Sequence, residues 1–126
     1  MLKNKSQCLL VTNNNRVEKK YKGDMQVILL ESYFEVLTKV RDKIHEGYVL
    51  LTHPLAGSLK PNQTPYKSIL LELSEDKKLD GRSLELIEAA IETYYKFKEL
   101  RELPNYSEKV KEDFKTIDLS LVENAF

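Results

Sequence analysis

The feature that most constrains the fold of this chain is a set of four short apolar runs separated by segments with helical spacing. The runs are Cys8–Thr12, Met25–Leu30, Tyr48–Thr52 and Ile69–Leu73. Each run is only a few residues long, and Cys8–Thr12 with its polar stop at Asn13–Asn15 is typical of a strand buried on both faces. The pattern predicts strands near 8–12, 26–30, 48–52 and 68–73.

Helix signals lie between and after these runs. Ser32 and Glu35 match the Ser-x-x-Glu capping box, and Gly47 matches a C-terminal stop. Asp80 can cap a long helix that runs through about Leu103. A short helix is expected over about 15–22 and a last helix over about 107–124.

Strands that alternate with helices through short connections predict parallel neighbours joined by right-handed crossovers. We therefore predict an α/β fold with one mainly parallel four-stranded sheet in the order 2-1-3-4, flanked by helices, with two C-terminal helices. The length of 126 residues suits a single domain over 1–126, with its core over about 6–103. The direction of the fourth strand stays open, because the connection before it has no long helical pattern.

Composition excludes several classes of function. Lys plus Arg equals Asp plus Glu at 20 each, so the chain lacks the basic excess that nonspecific nucleic-acid binding requires. The apolar runs are far shorter than a membrane span, and the N-terminus has no signal-peptide pattern, so we expect a cytoplasmic protein. The one cysteine, Cys8, is expected in the core, and without a Cys/His cluster at zinc spacing we expect no metal or other cofactor.

Polar residues follow the first three predicted strands. In a parallel sheet these strand ends share one edge, and ligands bind where the strand order reverses, which the predicted order puts between the first and third strands. The candidate ligand-binding residues at these ends are Thr12, Asn13, Asn14, Glu31, Ser32, Thr52, His53 and Pro54. His53 could contact a ligand or transfer a proton, or it could hydrogen-bond the loop backbone and hold its shape.

The long segment after His53 holds three of the four prolines, and long loops in small domains are often functional. Its backbone N–H groups and lysines could bind a small anion, either a carboxylate or a phosphate. The spacing is not that of a phosphate-binding loop, so a proline-braced surface loop is the alternative. The further candidate binding residues here are Gly57, Ser58, Lys60, Asn62, Thr64, Tyr66 and Lys67.

Two apolar groups lie near the C-terminus. The first is an aromatic group on the long helix, formed by Tyr94, Tyr95 and Phe97. We expect it to pack in the core and form a homodimer face, and the alternative is stacking on nucleic-acid bases. The last helix has an apolar stripe that we expect to be covered by the body of the protein or by another chain. The stripe consists of Val110, Phe114, Ile117 and Leu121.

Several stretches of the sequence resemble the GrdX family. They are Val11–Asn14, Val40–Asp42, Leu50–Ser58, Lys60–Ser68 and Ile91–Tyr94. The resemblance covers roughly residues 8–97, and its most specific part runs from His53-Pro54 to Thr64-Pro65-Tyr66-Lys67. The family is named for its place beside glycine reductase genes in anaerobic amino-acid-fermenting bacteria. The resemblance implies an accessory role near glycine, sarcosine or betaine reductase.

Two functional hypotheses follow. The first is a protein that binds a small anion at the strand ends. The second is an assembly protein that contacts reductase components, or a second copy of itself, through its C-terminal helices. The sequence shows no nucleophile-and-base pair, which favours binding over catalysis.

Overall fold

The computed structural model describes residues 7–55, 60, 61 and 63–126. In this part of the chain four helices pack on a four-stranded sheet, which confirms the α/β class. The elements are β1 (Cys8–Thr12), α1 (Asn15–Tyr21), β2 (Gln26–Leu29), α2 (Tyr33–His45), β3 (Tyr48–Leu50), β4 (Ser68–Leu73), α3 (Gly81–Leu100) and α4 (Glu108–Glu123). None of the described helices is long and apolar enough to cross a membrane.

The sheet order is β2-β1-β4-β3, so the predicted order 2-1-3-4 and the mainly parallel sheet are wrong. β1 is parallel to β2, but β4 lies between β1 and β3 and is antiparallel to both. The physical reason is the connection from β3 to β4. A parallel neighbour requires a crossover, usually a helix, and the described part of this connection contains none, so the chain returns antiparallel.

The two faces of the sheet bury separate apolar clusters. Leu9, Val11, Ile69 and Leu71 face α2 and α3, while Leu10 and Leu70 face α1 and α4. All five residues of β1 are buried, which is why this strand reads as a continuous apolar run. Cys8 is among them, as expected, and burial raises the pKa of its thiol.

Local signals set the helix ends as predicted. The Ser32 hydroxyl accepts a hydrogen bond from the Glu35 N–H at 3.1 Å, and the Asp80 carboxylate accepts from the Ser83 N–H at 3.0 Å. Gly47 follows α2 with φ at +104°, and a Cβ there would lie 2.7 Å from the Lys77 Cα. Only glycine fits this turn without strain.

The apolar stripe predicted for α4 is only partly covered, because Val110 and Phe114 are half-buried, with Phe114 packed against the Tyr106 ring. Ile117 and Leu121 remain 45% and 38% exposed, while Asp118 and Val122 are buried. At about 100° per residue, Leu121 and Val122 lie on opposite sides of Asp118. The helix is therefore rotated so that a carboxylate, rather than the centre of the stripe, faces the sheet.

Candidate functional site

Four strand termini meet at one edge of the sheet. β1, β2 and β3 run in the same direction and end there, and β4 begins there, with Thr12 opposite both Leu29 and Ser68. The crevice expected between the first and third strands is filled by β4. Thr52, just after β3, is held by β4 as well, because its hydroxyl accepts a hydrogen bond from the Leu70 N–H.

The centre of this edge is a cluster of buried and half-buried polar residues, which we call the polar edge. Its members are Thr12, Asn13, Asn14, Lys67, Ser68 and Asp118. Ser68 donates to Asp118 Oδ2 at 2.7 Å and lies 2.7 Å from the Thr12 hydroxyl, which must therefore donate to Ser68. Asn14 Nδ2 donates to the same Asp118 oxygen at 3.1 Å. Every buried side-chain nitrogen and oxygen of the described residues has a hydrogen-bond partner.

Asn13 fastens the loop between β3 and β4 to this edge. Its Nδ2 donates to the Pro65 carbonyl at 2.7 Å, and its Oδ1 accepts from the Lys67 N–H at 2.8 Å. The Tyr106 hydroxyl donates to the Gln63 carbonyl at 2.8 Å. Residues 63–67 therefore fold back across the strand ends instead of extending into solvent.

Lys67 and Asp118 form the charged centre of the polar edge. Burial lowers the pKa of Lys67 from 10.5 to about 8, although the Asp118 charge opposes the change. Burial also raises the pKa of Asp118, against its hydrogen bonds from Ser68 and Asn14 and the charge of Lys67. Both side chains line two small cavities of about 60 and 20 Å³. The protein thus holds two charges out of water with room for little more than a few atoms beside them.

A much larger opening lies next to the polar edge, and we call it the tyrosine cleft. Its volume is about 420 Å³. Tyr33 and Thr64 line both this cleft and the smallest cavity beside Asp118. The cleft is lined by Glu31, Ser32, Tyr33, Pro61, Thr64, Pro65, Tyr94, Lys98, Arg101, Glu102 and Leu103.

The tyrosine cleft has an aromatic wall and charged groups around it. The Tyr33 and Tyr94 rings stack with their centroids 5.8 Å apart, and Lys98 Nζ lies 5.9 Å from the Tyr94 ring centre. Burial raises the pKa of the Tyr33 hydroxyl, so this group stays neutral and can donate a hydrogen bond. Among the described residues, the Glu31 and Arg101 side chains have no hydrogen-bond or ion-pair partner.

His53 lies apart from these cavities. Its side chain is exposed, and its Nδ1 accepts a hydrogen bond from the Leu55 N–H at 3.0 Å. The three cavities described above are not lined by His53, whereas Thr52 lines the one of about 60 Å³. Pro54 is buried. This hydrogen bond is the contact expected if His53 holds the shape of the loop. A role for His53 in ligand binding stays a prediction.

The remaining loop candidates divide into three environments. Lys60 is exposed, with its Nζ 5.3 Å from the Phe97 ring centre. Thr64 is buried at the tyrosine cleft, and Tyr66 is half-buried with Lys115 Nζ 5.6 Å from its ring centre. Gly57, Ser58 and Asn62 lie outside the described residues.

Several residues of this edge are not predicted by the sequence patterns. Asp118 was hidden within an apolar pattern, although an acidic residue at the centre of an apolar helical arc is itself a signal of a buried polar role. Lys98 and Arg101 belong to a run of alternating charge that reads as a solvated helix face. Nothing in their spacing shows that the end of α3 lies beside the start of α2. Among the described residues, no group of three or more His, Cys, Asp or Glu side chains could hold a metal ion.

The comparisons with known proteins give one family. The family model described as GrdX-like protein matches residues 9–126, so it also covers α4, which the stretches recognised in the sequence did not reach. Comparison with curated proteins and with solved structures gave no match. A match over nearly the whole chain shows that this protein belongs to the GrdX-like protein family.

Proposed function

We propose that this protein is a cytoplasmic accessory protein of the glycine, sarcosine or betaine reductase system that binds a small anionic ligand at the strand-end edge. Family membership supports the association with the reductase system. The ligand-binding part rests on one observation, the tyrosine cleft of about 420 Å³ with Lys98 and Arg101 on its lining.

The tyrosine cleft suits a ligand better than the polar edge does. The polar groups of the edge already bond to one another, and its cavities hold about 60 and 20 Å³. The cleft is within the size range of small-molecule sites, which is about 300–1,000 Å³. Of the residues proposed from the sequence, Glu31, Ser32 and Thr64 line it.

The cleft offers three kinds of group to an anion. Arg101 presents a planar guanidinium that matches a carboxylate or phosphate, and Lys98 adds a second positive charge. Ser32 stands at the N-terminus of α2, where the helix dipole favours negative charge. These groups bind and orient a ligand. Because burial raises the pKa of the Tyr33 hydroxyl, this group stays neutral and is a hydrogen-bond donor rather than a base.

A thermal-shift screen with carboxylates, phosphates and nucleotides tests this proposal, followed by titration calorimetry on any compound that stabilises the protein. Arg101→Ala and Lys98→Ala should each weaken binding about tenfold or more, since a hydrogen bond to a charged group is worth about 1.5–3 kcal/mol. Lys96→Ala is the matched control, because Lys96 is exposed on α3 and does not line the cleft. Binding that survives both cleft substitutions would contradict the proposal.

The alternative is an assembly protein that acts through its C-terminal helices. The observation in its favour is the exposed apolar surface of α4, where Ile117 and Leu121 are 45% and 38% exposed. If α4 contacts a second copy or a reductase component, Ile117→Ser with Leu121→Ser should reduce the mass measured by light scattering or abolish the complex. If the cleft alone carries the function, these substitutions leave ligand binding unchanged.

A further inference from the structure

The charges of the tyrosine cleft are mixed. Lys98 and Arg101 are cationic, but Glu31 and Glu102 line the same cleft, and all four side chains lie on its exposed part. No ion pair joins any of these four groups to another described residue. A simple anion would pair with Lys98 and Arg101, but its negative charge would then lie near the carboxylates of Glu31 and Glu102, which it repels.

The floor between these charges is aromatic and apolar. Tyr33 is buried, and Tyr94 stacks on it while also contacting the Phe34 ring at 5.2 Å between centroids. Pro61, Pro65 and Leu103 complete the apolar lining. Such a surface stabilises a hydrocarbon or aromatic group by burying it from water.

From this arrangement we infer that the ligand of the tyrosine cleft is a zwitterion of the amino-acid class with an apolar side chain. The carboxylate binds Lys98 and Arg101, the ammonium group binds Glu31 and Glu102, and the side chain packs on the Tyr33 and Tyr94 rings. The inference rests on the proposed ligand-binding function and narrows it, because it requires a cation and an apolar group on the same molecule as the anion.

The volume of the cleft agrees with this class of ligand. About 420 Å³ is near the lower end of the range for drug-sized ligands, so it accommodates one amino acid with a large side chain together with its water. An amino acid without a side chain would leave the aromatic wall uncovered. The structure therefore favours L-phenylalanine over glycine as a probe.

Calorimetric titration with four matched compounds tests the inference. L-phenylalanine carries both charges, 3-phenylpropionate lacks the ammonium group, phenethylamine lacks the carboxylate, and glycine lacks the side chain. We expect L-phenylalanine to bind at least tenfold more tightly than each of the others. Equal affinity for L-phenylalanine and 3-phenylpropionate would overturn the zwitterion inference and leave the anion-binding function standing.

Substitution of the two glutamates gives an independent readout. Glu31→Gln with Glu102→Gln should weaken L-phenylalanine binding about tenfold and leave the affinity for 3-phenylpropionate unchanged or higher. Glu99→Gln is the matched control, since Glu99 is exposed on α3 and does not line the cleft. If the double variant still prefers L-phenylalanine to 3-phenylpropionate as strongly as the wild type does, the inference is overturned. Absence of binding by all four compounds would overturn the inference together with the proposed carboxylate site.

Discussion

The polar edge and the tyrosine cleft are neighbours, yet they use polar residues in opposite ways. In the polar edge, Asn14 and the half-buried Ser68 both donate to the buried carboxylate of Asp118. Around the cleft, the Glu31 and Arg101 side chains have no hydrogen-bond or ion-pair partner among the described residues. The first arrangement fixes α4 on the sheet, and the second leaves charges available to a ligand. Polar residues at strand ends therefore do not by themselves mark a binding site.

The largest expected effect follows from removing the acidic centre of the polar edge. Asp118→Ala deletes the acceptor for Ser68 and Asn14 and removes the negative charge that raises the pKa of Lys67. Each hydrogen bond to a charged group is worth about 1.5–3 kcal/mol, so losing both should lower the free energy of unfolding by roughly 3 kcal/mol or more, which urea denaturation would measure.

Two variants sharpen this prediction. Asp113→Ala, on the exposed side of the same helix, should change the free energy of unfolding by less than about 0.5 kcal/mol. Lys67→Met combined with Asp118→Leu should recover only part of the stability, because the apolar pair removes both buried charges but still deletes the acceptor for Ser68 and Asn14. If Asp118→Ala is as stable as Asp113→Ala, the polar edge is not what holds α4.

The pH dependence of stability gives the next largest effect. Because the folded pKa of Lys67 is about 8 and its ordinary value is 10.5, the unfolded chain binds more protons between these values. Stability therefore rises with pH across this window, by about 3 kcal/mol at most. The raised pKa values of the Cys8 thiol and the Tyr33 hydroxyl oppose this rise above about pH 9.

The rise is best measured as the difference between the wild type and Lys67→Met from pH 7.5 to 9. The wild type should gain stability relative to the variant over this range. If the free energy of unfolding depends on pH in the same way in both proteins, the pKa of Lys67 is not lowered in the folded state.

A small effect is expected at His53. Its Nδ1 accepts one hydrogen bond from the Leu55 N–H, and its side chain is exposed. His53→Ala should lower the free energy of unfolding by no more than about 1 kcal/mol and leave the affinity of a cleft ligand unchanged. A strong loss of binding with normal stability would show that His53 contacts the ligand and that the binding site is not the tyrosine cleft.

The comparison also shows how far the sequence can predict this structure. Local signals at Ser32, Asp80 and Gly47 placed helix ends correctly, because they act within a few residues of the chain. The apolar runs predict where strands occur along the chain, but they do not predict which strands become neighbours. The position of β4 between β1 and β3 therefore could not be predicted from them. Arg101 acquires its role from packing between distant elements, so its spacing along the chain does not predict that role. For Asp118 the apolar neighbours on α4 indicate burial, but they do not identify Ser68 and Asn14 as its partners.

The central claim is that the polar edge is structural and that the tyrosine cleft binds the ligand. The direct test is a two-dimensional NMR titration of isotope-labelled protein with L-phenylalanine, following the backbone amide of each residue. Saturable shifts are expected at Ser32, Thr64, Tyr94 and Arg101, with no comparable shifts at Asn14 and Val122. Shifts concentrated at Asn14 and Val122, or around His53, would contradict this claim.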